Sequence, residues 1–491
     1  MMAIKKISCT FKTLGIILCL HGTMAFAKAP TKVSHSEIMV QMPRSFLASK
    51  MPYEPMQNPK TYTPPPQGCT AFFINHVGRH GSRHLVSQKS YVSLLHEIAQ
   101  ARAMKGLGPK ADTVETWLKE VAGGETNNLG MLTEQGKKEL RDIAARMYQN
   151  FPSVFLYNNK SLVTKSTYQE RAQESRVEFT KALIKAGLDE KRIKTKAAFK
   201  QCADPLLRFF EVCRDHVEYV DKDPAKSAIA QFDAHPDTQK VFRLVLNRIF
   251  TNDYIDRALG NPSQIGDMVK NIYELCGLEA MMDKDNVSNK FCGLLKVADV
   301  KARLEFRDDL FDYFNQGPFS GLGQPGSDVG ERFKAFKYSC PLLRDFLDTT
   351  KNALDPHSKY AAQLRFAHAE TILPFVTLLG LYDLKEISGQ PVFGIERDWH
   401  TAIASPLAAN VQWIVYKCKT GSHVVRMLQN EREISFPLDG CRDRVYCPWN
   451  KVNQFYIKRL QDFGLNDCNE QNWAKACNNE GQQNKCSIHQ Q

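Results

Sequence analysis

The first strong pattern along the chain is a short, mostly apolar run, Ala71–Val77, which is closed by Gly78. Such a run predicts a buried strand. The helical period that follows, Ser90–Arg102, predicts a helix after a tight turn. In the next segment, 133–150, apolar residues recur at i, i+3, i+4 and i+7 with charges between them, which predicts an amphipathic helix.

The same alternation returns twice. A short strand at 161–165 leads into a helix over 171–185, and a strand at 363–367 leads into a helix over 371–381. A further apolar strand is predicted at 411–416. Alternating strands and helices indicate an α/β fold with a mostly parallel sheet flanked by helices.

Between these two parts the strand signals vanish. Segments such as 205–220 and 239–249 have a helical period, so we predict an inserted, mainly helical subdomain. The predicted organisation is a signal peptide at 1–27, an N-terminal arm laid over the surface at 28–67, an α/β catalytic domain at 68–203 and 359–463, the inserted subdomain at 204–358, and a Cys-containing tail at 464–491.

The N-terminus indicates export. Three lysines precede the apolar run Leu14–Leu20, and Ala25 and Ala27 form a small-x-small end. This arrangement is typical of a secretory signal peptide, and the apolar run is well short of the roughly 20 residues that span a bilayer. We therefore expect a periplasmic or secreted protein without stable membrane insertion after signal removal.

Composition and charge limit the class of protein and the kinds of partner that fit this chain. The 491 residues are 43% hydrophobic and 24% charged, which excludes a disordered chain and a polytopic membrane protein. The formal charge of +12 is compatible with a polyanionic ligand or with an ordinary basic surface. The sequence has neither zinc-finger spacing nor a basic run, so we expect no nucleic-acid partner.

Fourteen cysteines are present, and two of them lie in the predicted signal. The even number of cysteines that remains in an exported chain indicates disulfides, whereas the spacing of the cysteines disfavours a zinc site. Sequence neighbours suggest the pairs Cys276–Cys292, Cys441–Cys447 and Cys468–Cys477, although spacing alone does not determine connectivity.

A candidate phosphate site follows the first strand, at Arg79-His80-Gly81-Ser82-Arg83. Ligands of open α/β sheets bind beyond the carboxyl ends of strands. Two guanidinium groups can bind tetrahedral oxyanions, and the histidine between them is a nucleophile near neutral pH.

A second motif, His368-Ala369-Glu370, follows the later strand at the start of a helix. His368 can donate to an anion there. Glu370, close to phosphate oxygens, would be favoured in its acid form and could protonate a leaving alkoxide. The alternative is a glutamate that serves only the helix dipole.

Together the two motifs resemble the histidine acid phosphatase family, and the His-Ala-Glu form resembles its multiple inositol polyphosphate phosphatase branch. The family has proline where this chain has Leu85. Similarity continues over about residues 68–450, in the segments 169–175, 405–410 and 428–432 and in the cysteines at 441 and 447.

The resemblance implies residue roles. His80 would be the nucleophile that forms a phosphohistidine, and Glu370 would be the proton donor. The transferring phosphoryl group would be held by Arg79, Arg83, Arg171 and His368. No metal and no cofactor are called for. Lys89 could reach a second phosphate of the substrate, with a solvated helix lysine as the alternative.

The leading hypothesis is an exported phosphomonoesterase for inositol polyphosphates, including phytate, with an acidic-to-neutral pH optimum. A broad-specificity acid phosphatase or sugar-phosphate phosphatase is the alternative within the same chemistry. An inactive secreted polyanion-binding protein is the alternative from another class.

Overall fold

The structure is a computed structural model that describes residues 42, 44–156, 159–223, 225–317, 335–382, 399–469 and 473. The predicted signal peptide at 1–27 lies outside the described residues. The arm at 28–67 and the tail at 464–491 are described in part.

Eight strands form one sheet in the order β3-β2-β4-β1-β5-β6-β7, and β8 also pairs with β6. The strands are β1 (Cys69–Arg79), β2 (Ser161–Ser166), β3 (Ile193–Thr195), β4 (Tyr360–Ala367), β5 (Asn410–Cys418), β6 (His423–Gln429), β7 (Arg432–Ile434) and β8 (Tyr446–Pro448).

Seventeen α-helices are found in the described residues. They are α1 (Lys89–Ala103), α2 (Ala111–Glu125), α3 (Glu134–Asn150), α4 (Pro152–Phe155), α5 (Glu170–Lys185), α6 (Phe209–Val212), α7 (Arg214–Asp221), α8 (Lys226–Ala234), α9 (Pro236–Leu246), α10 (Asn252–Ala258), α11 (Pro262–Met282), α12 (Lys290–Leu294), α13 (Val300–Asn315), α14 (Cys340–Ala353), α15 (Ala369–Leu378), α16 (Thr401–Ala404) and α17 (Trp449–Asp462).

The predicted α/β class is confirmed, and the sheet is mixed. Strands β3, β2, β4 and β1 are parallel, whereas β5 to β8 are added in antiparallel pairings. The expectation of a mostly parallel sheet therefore holds for one half only. Parallel strands need long helical crossovers, whereas β5, β6 and β7 follow one another through short turns, which permit antiparallel pairing.

Both faces of the sheet are covered. Because successive side chains of a strand point to opposite faces, Phe73 and Ile74 of β1 enter different cores. The Phe73 core contains apolar residues of α14, α15 and α17, and the Ile74 core contains those of α3 and α5. The β1 run is therefore apolar on both sides, as expected for a central strand.

A third core joins the helices between β3 and β4 to α1 and α2. In the described residues from 204 to 353, every regular element is a helix. Helix α14 lies inside the range predicted for the inserted subdomain, yet it packs on β1, β4 and α15. The boundary of the insert at 358 stays a prediction, and these contacts favour one that precedes α14.

The N-terminal strap, defined here as Arg44–Tyr53, is not laid over the surface as the arm was expected to be. Leu47 and Ala48 are fully buried, and the strap contacts α13 and α16. Ala48 has φ 49° and ψ −129°, a backbone conformation that is costly for a residue with a Cβ atom. The strap is thus an integral part of the packed structure.

Disulfides join distant parts of the fold. The pairs Cys276–Cys292 and Cys441–Cys447 are confirmed, and Cys69 pairs with Cys418 across β1 and β5. The expected Cys468–Cys477 pair is wrong, because the fold brings the start of α14 to this segment and Cys468 bonds Cys340. Cys202 and Cys213 are also disulfide-bonded.

Within the described ranges, every helix is too short or too polar to cross a membrane.

Candidate active site

The two histidine motifs meet at the carboxyl ends of neighbouring parallel strands. Arg79, the last residue of β1, pairs with Ala367, the last residue of β4, so His80 and His368 leave the sheet side by side. The backbone N–H of His80 donates to the Ala367 carbonyl at 3.0 Å. The ring centroids of the two histidines are 5.5 Å apart. One pocket therefore holds residues that are almost 300 positions apart in sequence.

His80 is buried and oriented by its own loop. Its Nδ1 lies 2.9 Å from the Gly81 carbonyl oxygen and, as an N–H, donates to it. That bond leaves Nε2 with its lone pair. Burial, followed by the charges of Arg171, Arg79 and Arg83, holds the pKa of His80 well below its usual value. The imidazole is therefore neutral, which a nitrogen nucleophile requires.

The loop after β1 is fixed by close packing and by two buried carboxylates. A Cβ atom on Gly81 would lie 2.5 Å from the Gly136 carbonyl oxygen, so only glycine fits. Glu139 of α3 accepts from the Ser82 N–H and hydroxyl at 2.8 and 2.7 Å. At Leu85, where the family has proline, the N–H donates to Glu125 at 2.8 Å. This bond restrains the loop at the position where proline is missing.

Arg79, Arg83 and Arg171 surround the histidines with weakly compensated positive charge. Burial is the main cause that lowers the pKa of each to about 10, and the carboxylate of Glu370 opposes the shift in all three. All three remain charged at neutral pH. Such desolvated guanidinium groups have a high affinity for a multiply charged anion.

Glu370 lies in the first turn of α15, two residues after His368 at the N-cap. The Glu370 side chain is half-buried, and its charge acts on Arg208 as well as on Arg79, Arg83 and Arg171. The carboxyl group is thus placed at the arginine cluster.

Arg208 is a member of this pocket that the sequence analysis missed. Its guanidinium lies 4.9 Å from the ring centroids of Tyr168 and Phe210 and binds Glu211. After burial, Arg208 is the largest cause that lowers the pKa of His368. Its Nε and Nη1 atoms have no partner among the described residues. The only sequence signal is a basic residue inside an apolar run, which indicates a helix as readily as a site.

The N-terminal strap also belongs to the pocket. The Nη1 group of Arg79 donates to the carbonyl oxygens of Ser49 and Ser405, both at 2.6 Å. The next strap residue, Lys50, binds Asp308 at 2.8 Å and Glu274 at 3.2 Å on helices α13 and α11. The strap therefore holds Arg79 in place and connects it to helices α13 and α11. No local sequence motif indicates these contacts.

Lys89 is the first residue of α1 and is exposed. No side-chain partner is found for it in the part of the chain that the structure describes. Its contact with a second phosphate stays a prediction.

One group of side chains could in principle ligate a cation. His400 Nδ1 lies 3.0 Å from Glu305 and 3.5 Å from Asp309. Burial lowers the pKa of His400, but the hydrogen bonds to Asp309 and Glu305 outweigh it and raise the pKa to about 10. A protonated imidazole therefore offsets one of the two carboxylate charges, and it would have to lose its proton before it could bind a metal.

The family model "Histidine phosphatase superfamily (branch 2)" matches residues 73–430, well over half of the chain. The chain belongs to this superfamily. Multiple inositol polyphosphate phosphatase 1 of Gallus gallus is 26% identical over 387 residues, covering 76% of this chain and 78% of the relative. The Homo sapiens protein of the same name is 24% identical over 401 residues, covering 74% and 75%. The chain is thus similar to two multiple inositol polyphosphate phosphatases, and as a member of the superfamily it is a phosphoric monoester hydrolase.

Solved structures have the same fold. The Bifidobacterium longum multiple inositol polyphosphate phosphatase, in complex with inositol hexasulfate, superposes with a TM-score of 0.69 at 22% identity, covering 84% of this chain and 97% of that one. A phytase from D. castellii gives 0.62 at 17% identity, covering 85% of each chain.

Proposed function

We propose that this histidine phosphatase removes phosphates from inositol polyphosphates through a phosphohistidine on His80. The observation that carries the proposal is the convergence of a neutral, oriented His80 with His368 and three arginines at the ends of β1 and β4. A pocket with this excess of guanidinium charge suits a substrate with several phosphates. The names of the relatives and the inositol hexasulfate complex of the B. longum enzyme point to the same substrate class.

In the first step, His80 Nε2 attacks phosphorus and the bond to the inositol oxygen breaks. Glu370, in its acid form, gives its proton to that leaving oxygen. Arg79, Arg83, Arg171 and His368 stabilise the three equatorial oxygens of the transferring group. In the second step, water attacks phosphorus, the phosphorus–nitrogen bond breaks, and Glu370 takes up a proton from the water.

The pH dependence follows from the two protonation states. Because the pKa of His80 is held well below its usual value, the nucleophile stays neutral at mildly acidic pH. Glu370 must enter the first step as an acid, because the leaving oxygen needs a proton. We therefore expect an optimum on the acidic to neutral side.

The central experiment is phosphate release from inositol hexakisphosphate by the wild-type chain and by His80→Ala. We expect the variant to lose at least about a thousandfold in kcat while its thermal unfolding is unchanged, because the nucleophile is gone. The matched control is His96→Ala, an exposed histidine on α1, which should retain wild-type activity. Turnover by His80→Ala would refute the covalent mechanism. A wild-type chain that binds the substrate without turnover would favour the inactive polyanion binder.

Glu370→Gln tests the proton donor. An inositol oxygen needs a proton as it leaves, whereas p-nitrophenolate does not. The variant should therefore lose much more activity on inositol hexakisphosphate than on p-nitrophenyl phosphate. Equal losses on both substrates would contradict the assignment of Glu370. A wild-type preference for p-nitrophenyl phosphate in kcat/KM would favour the broad-specificity alternative.

We also propose export to a periplasm or to the medium. Disulfides persist in oxidising compartments, and four described pairs are present in this chain. Mass measurement of the protein recovered outside the cytoplasm should show an N-terminus near residue 28, and recovery with residues 1–27 intact would contradict the cleavage.

A further inference from the structure

Thr167, which none of the motifs includes, lies directly behind the second histidine. It follows β2, and its backbone N–H donates to the Phe366 carbonyl at 3.2 Å. Its hydroxyl oxygen lies 2.8 Å from Nε2 of His368. Both side chains are buried, with 0% of Thr167 and 1% of His368 exposed. A buried hydroxyl this close to a ring nitrogen influences which of the two nitrogens of His368 carries the imidazole proton.

The direction of this hydrogen bond follows from satisfaction of the buried polar groups. In the described part of the chain, the Thr167 hydroxyl has His368 Nε2 as its one side-chain partner. If the hydroxyl accepted a hydrogen bond from an Nε2–H group, its own hydrogen would be buried without an acceptor, which is costly. The hydroxyl therefore donates to Nε2.

A neutral imidazole carries one proton, so a donor at Nε2 places that proton on Nδ1. Burial, followed by Arg208 and Arg171, holds the pKa of His368 well below its usual value, so the ring is neutral in the unliganded pocket. A neutral ring can still donate to a phosphoryl oxygen, but only in the tautomer that has its proton on the free nitrogen. Nδ1 has no hydrogen bond to any described residue.

We propose that Thr167 is a positioning residue whose hydroxyl fixes the tautomer and orientation of His368, so that the ring presents Nδ1–H to the phosphoryl group. This inference rests on the proposed function, in which His368 binds the transferring phosphoryl oxygens. Thr167 touches neither substrate nor phosphorus and acts entirely through His368.

The test compares Thr167→Val with Thr167→Ser in kcat and KM for inositol hexakisphosphate. Valine keeps the shape and removes the hydroxyl, whereas serine restores it. We expect Thr167→Val to lose about tenfold in kcat/KM, as for one lost hydrogen bond, and Thr167→Ser to stay within about twofold of wild type. The matched control is Thr377→Val on α15, a fully buried threonine whose hydroxyl donates to the Leu373 carbonyl, and it should keep wild-type kinetics.

A double-mutant cycle separates a positioning role from a structural one. In a His368→Ala background, Thr167→Val should cause no further loss, because the group through which it acts is absent. Wild-type kinetics for Thr167→Val, an equal loss for Thr167→Ser, or an undiminished additional loss in the His368→Ala background would each overturn the proposal.

A spectroscopic readout keeps the proposal falsifiable even if Thr167→Val does not fold. Nitrogen NMR of wild-type protein labelled at histidine, with the His368 signals assigned by their loss in His368→Ala, should show the proton on Nδ1. A proton on Nε2 would overturn it. His80→Ala distinguishes the two failures: turnover without His80 refutes the proposed function, whereas an inactive His80→Ala beside a fully active Thr167→Val refutes only the role of Thr167.

Discussion

Two sets of largely desolvated arginines in this chain have opposite surroundings. Arg307 binds Asp233 through two hydrogen bonds of 2.9 Å, and Arg426 binds Glu433 at 2.9 Å. Burial lowers the pKa of Arg307 and Arg426, but it is outweighed and the pKa of both is raised. Asp233 is the main cause for Arg307, and Tyr416, Tyr446 and then Glu433 are the causes for Arg426. In the pocket, burial prevails and lowers the pKa of Arg79, Arg83 and Arg171 to about 10.

The same contrast holds for histidine. His400, between Asp309 and Glu305, has its pKa raised to about 10, whereas burial and three arginines hold the pKa of His80 well below normal. A charge that is paired inside the protein has its desolvation cost offset by its partner. Charge that the protein leaves unpaired costs folding free energy and is compensated only when an anion binds. Burial of a charged residue is therefore a weak sign of function, and burial without a counter-ion is a stronger one.

The largest effect that this comparison predicts is on activity, at Arg171. We expect Arg171→Met to lose at least about a hundredfold in kcat/KM on inositol hexakisphosphate, because one phosphoryl-binding charge is gone. Its melting temperature without ligand should be unchanged or higher, since an unpaired charge is removed. Inorganic phosphate should raise the melting temperature less in the variant than in wild type. A strong loss of stability without ligand would mean that Arg171 supports the fold, as Arg307 and Arg426 are expected to do.

The next effect is on stability, at Arg307. Replacing it by Met leaves Asp233, which is fully buried, without its guanidinium partner. We expect a loss of about 3–5 kcal/mol in the free energy of unfolding, measured in urea, with wild-type kcat for the protein that remains folded. The control is Arg257→Met, an exposed arginine paired with Asp253, which should cost less than about 1 kcal/mol. A small effect at Arg307 would undermine the distinction between the two sets.

The smallest effect is the pH dependence contributed by His400. Its pKa in the folded state, about 10, lies above the value of about 6.5 expected for the unfolded chain. The stability it contributes is therefore complete below about pH 6.5 and is lost as the pH rises towards 10. His400→Gln should reduce the difference between melting temperatures measured at pH 6 and at pH 9. An unchanged difference would mean that the imidazole is not charged in the fold.

The periodicity of apolar residues predicted several strands and helices of the α/β domain. The expected strand at 71–77 and the helix at 171–185 are found as β1 and α5, and the expected helix at 133–150 is α3, with Thr133 accepting from the Gly136 N–H at its start. These elements are long and regular, so local sequence dominates their conformation. The antiparallel half of the sheet was not foreseen, because pairing direction depends on how the strands are connected in space.

The two histidine motifs and the arginines beside them could be recognised without the structure, because each motif is contiguous and follows a strand with a clear apolar pattern. Four further residues are seen to join them only in the folded chain: Thr167, Arg208, Ser49 and Lys50. Each of these residues acts on a group far away in sequence, through a hydrogen bond, an ion pair or the electrostatic effect of its charge. Such contacts depend on distances that the folded chain creates, and they leave no local pattern to detect.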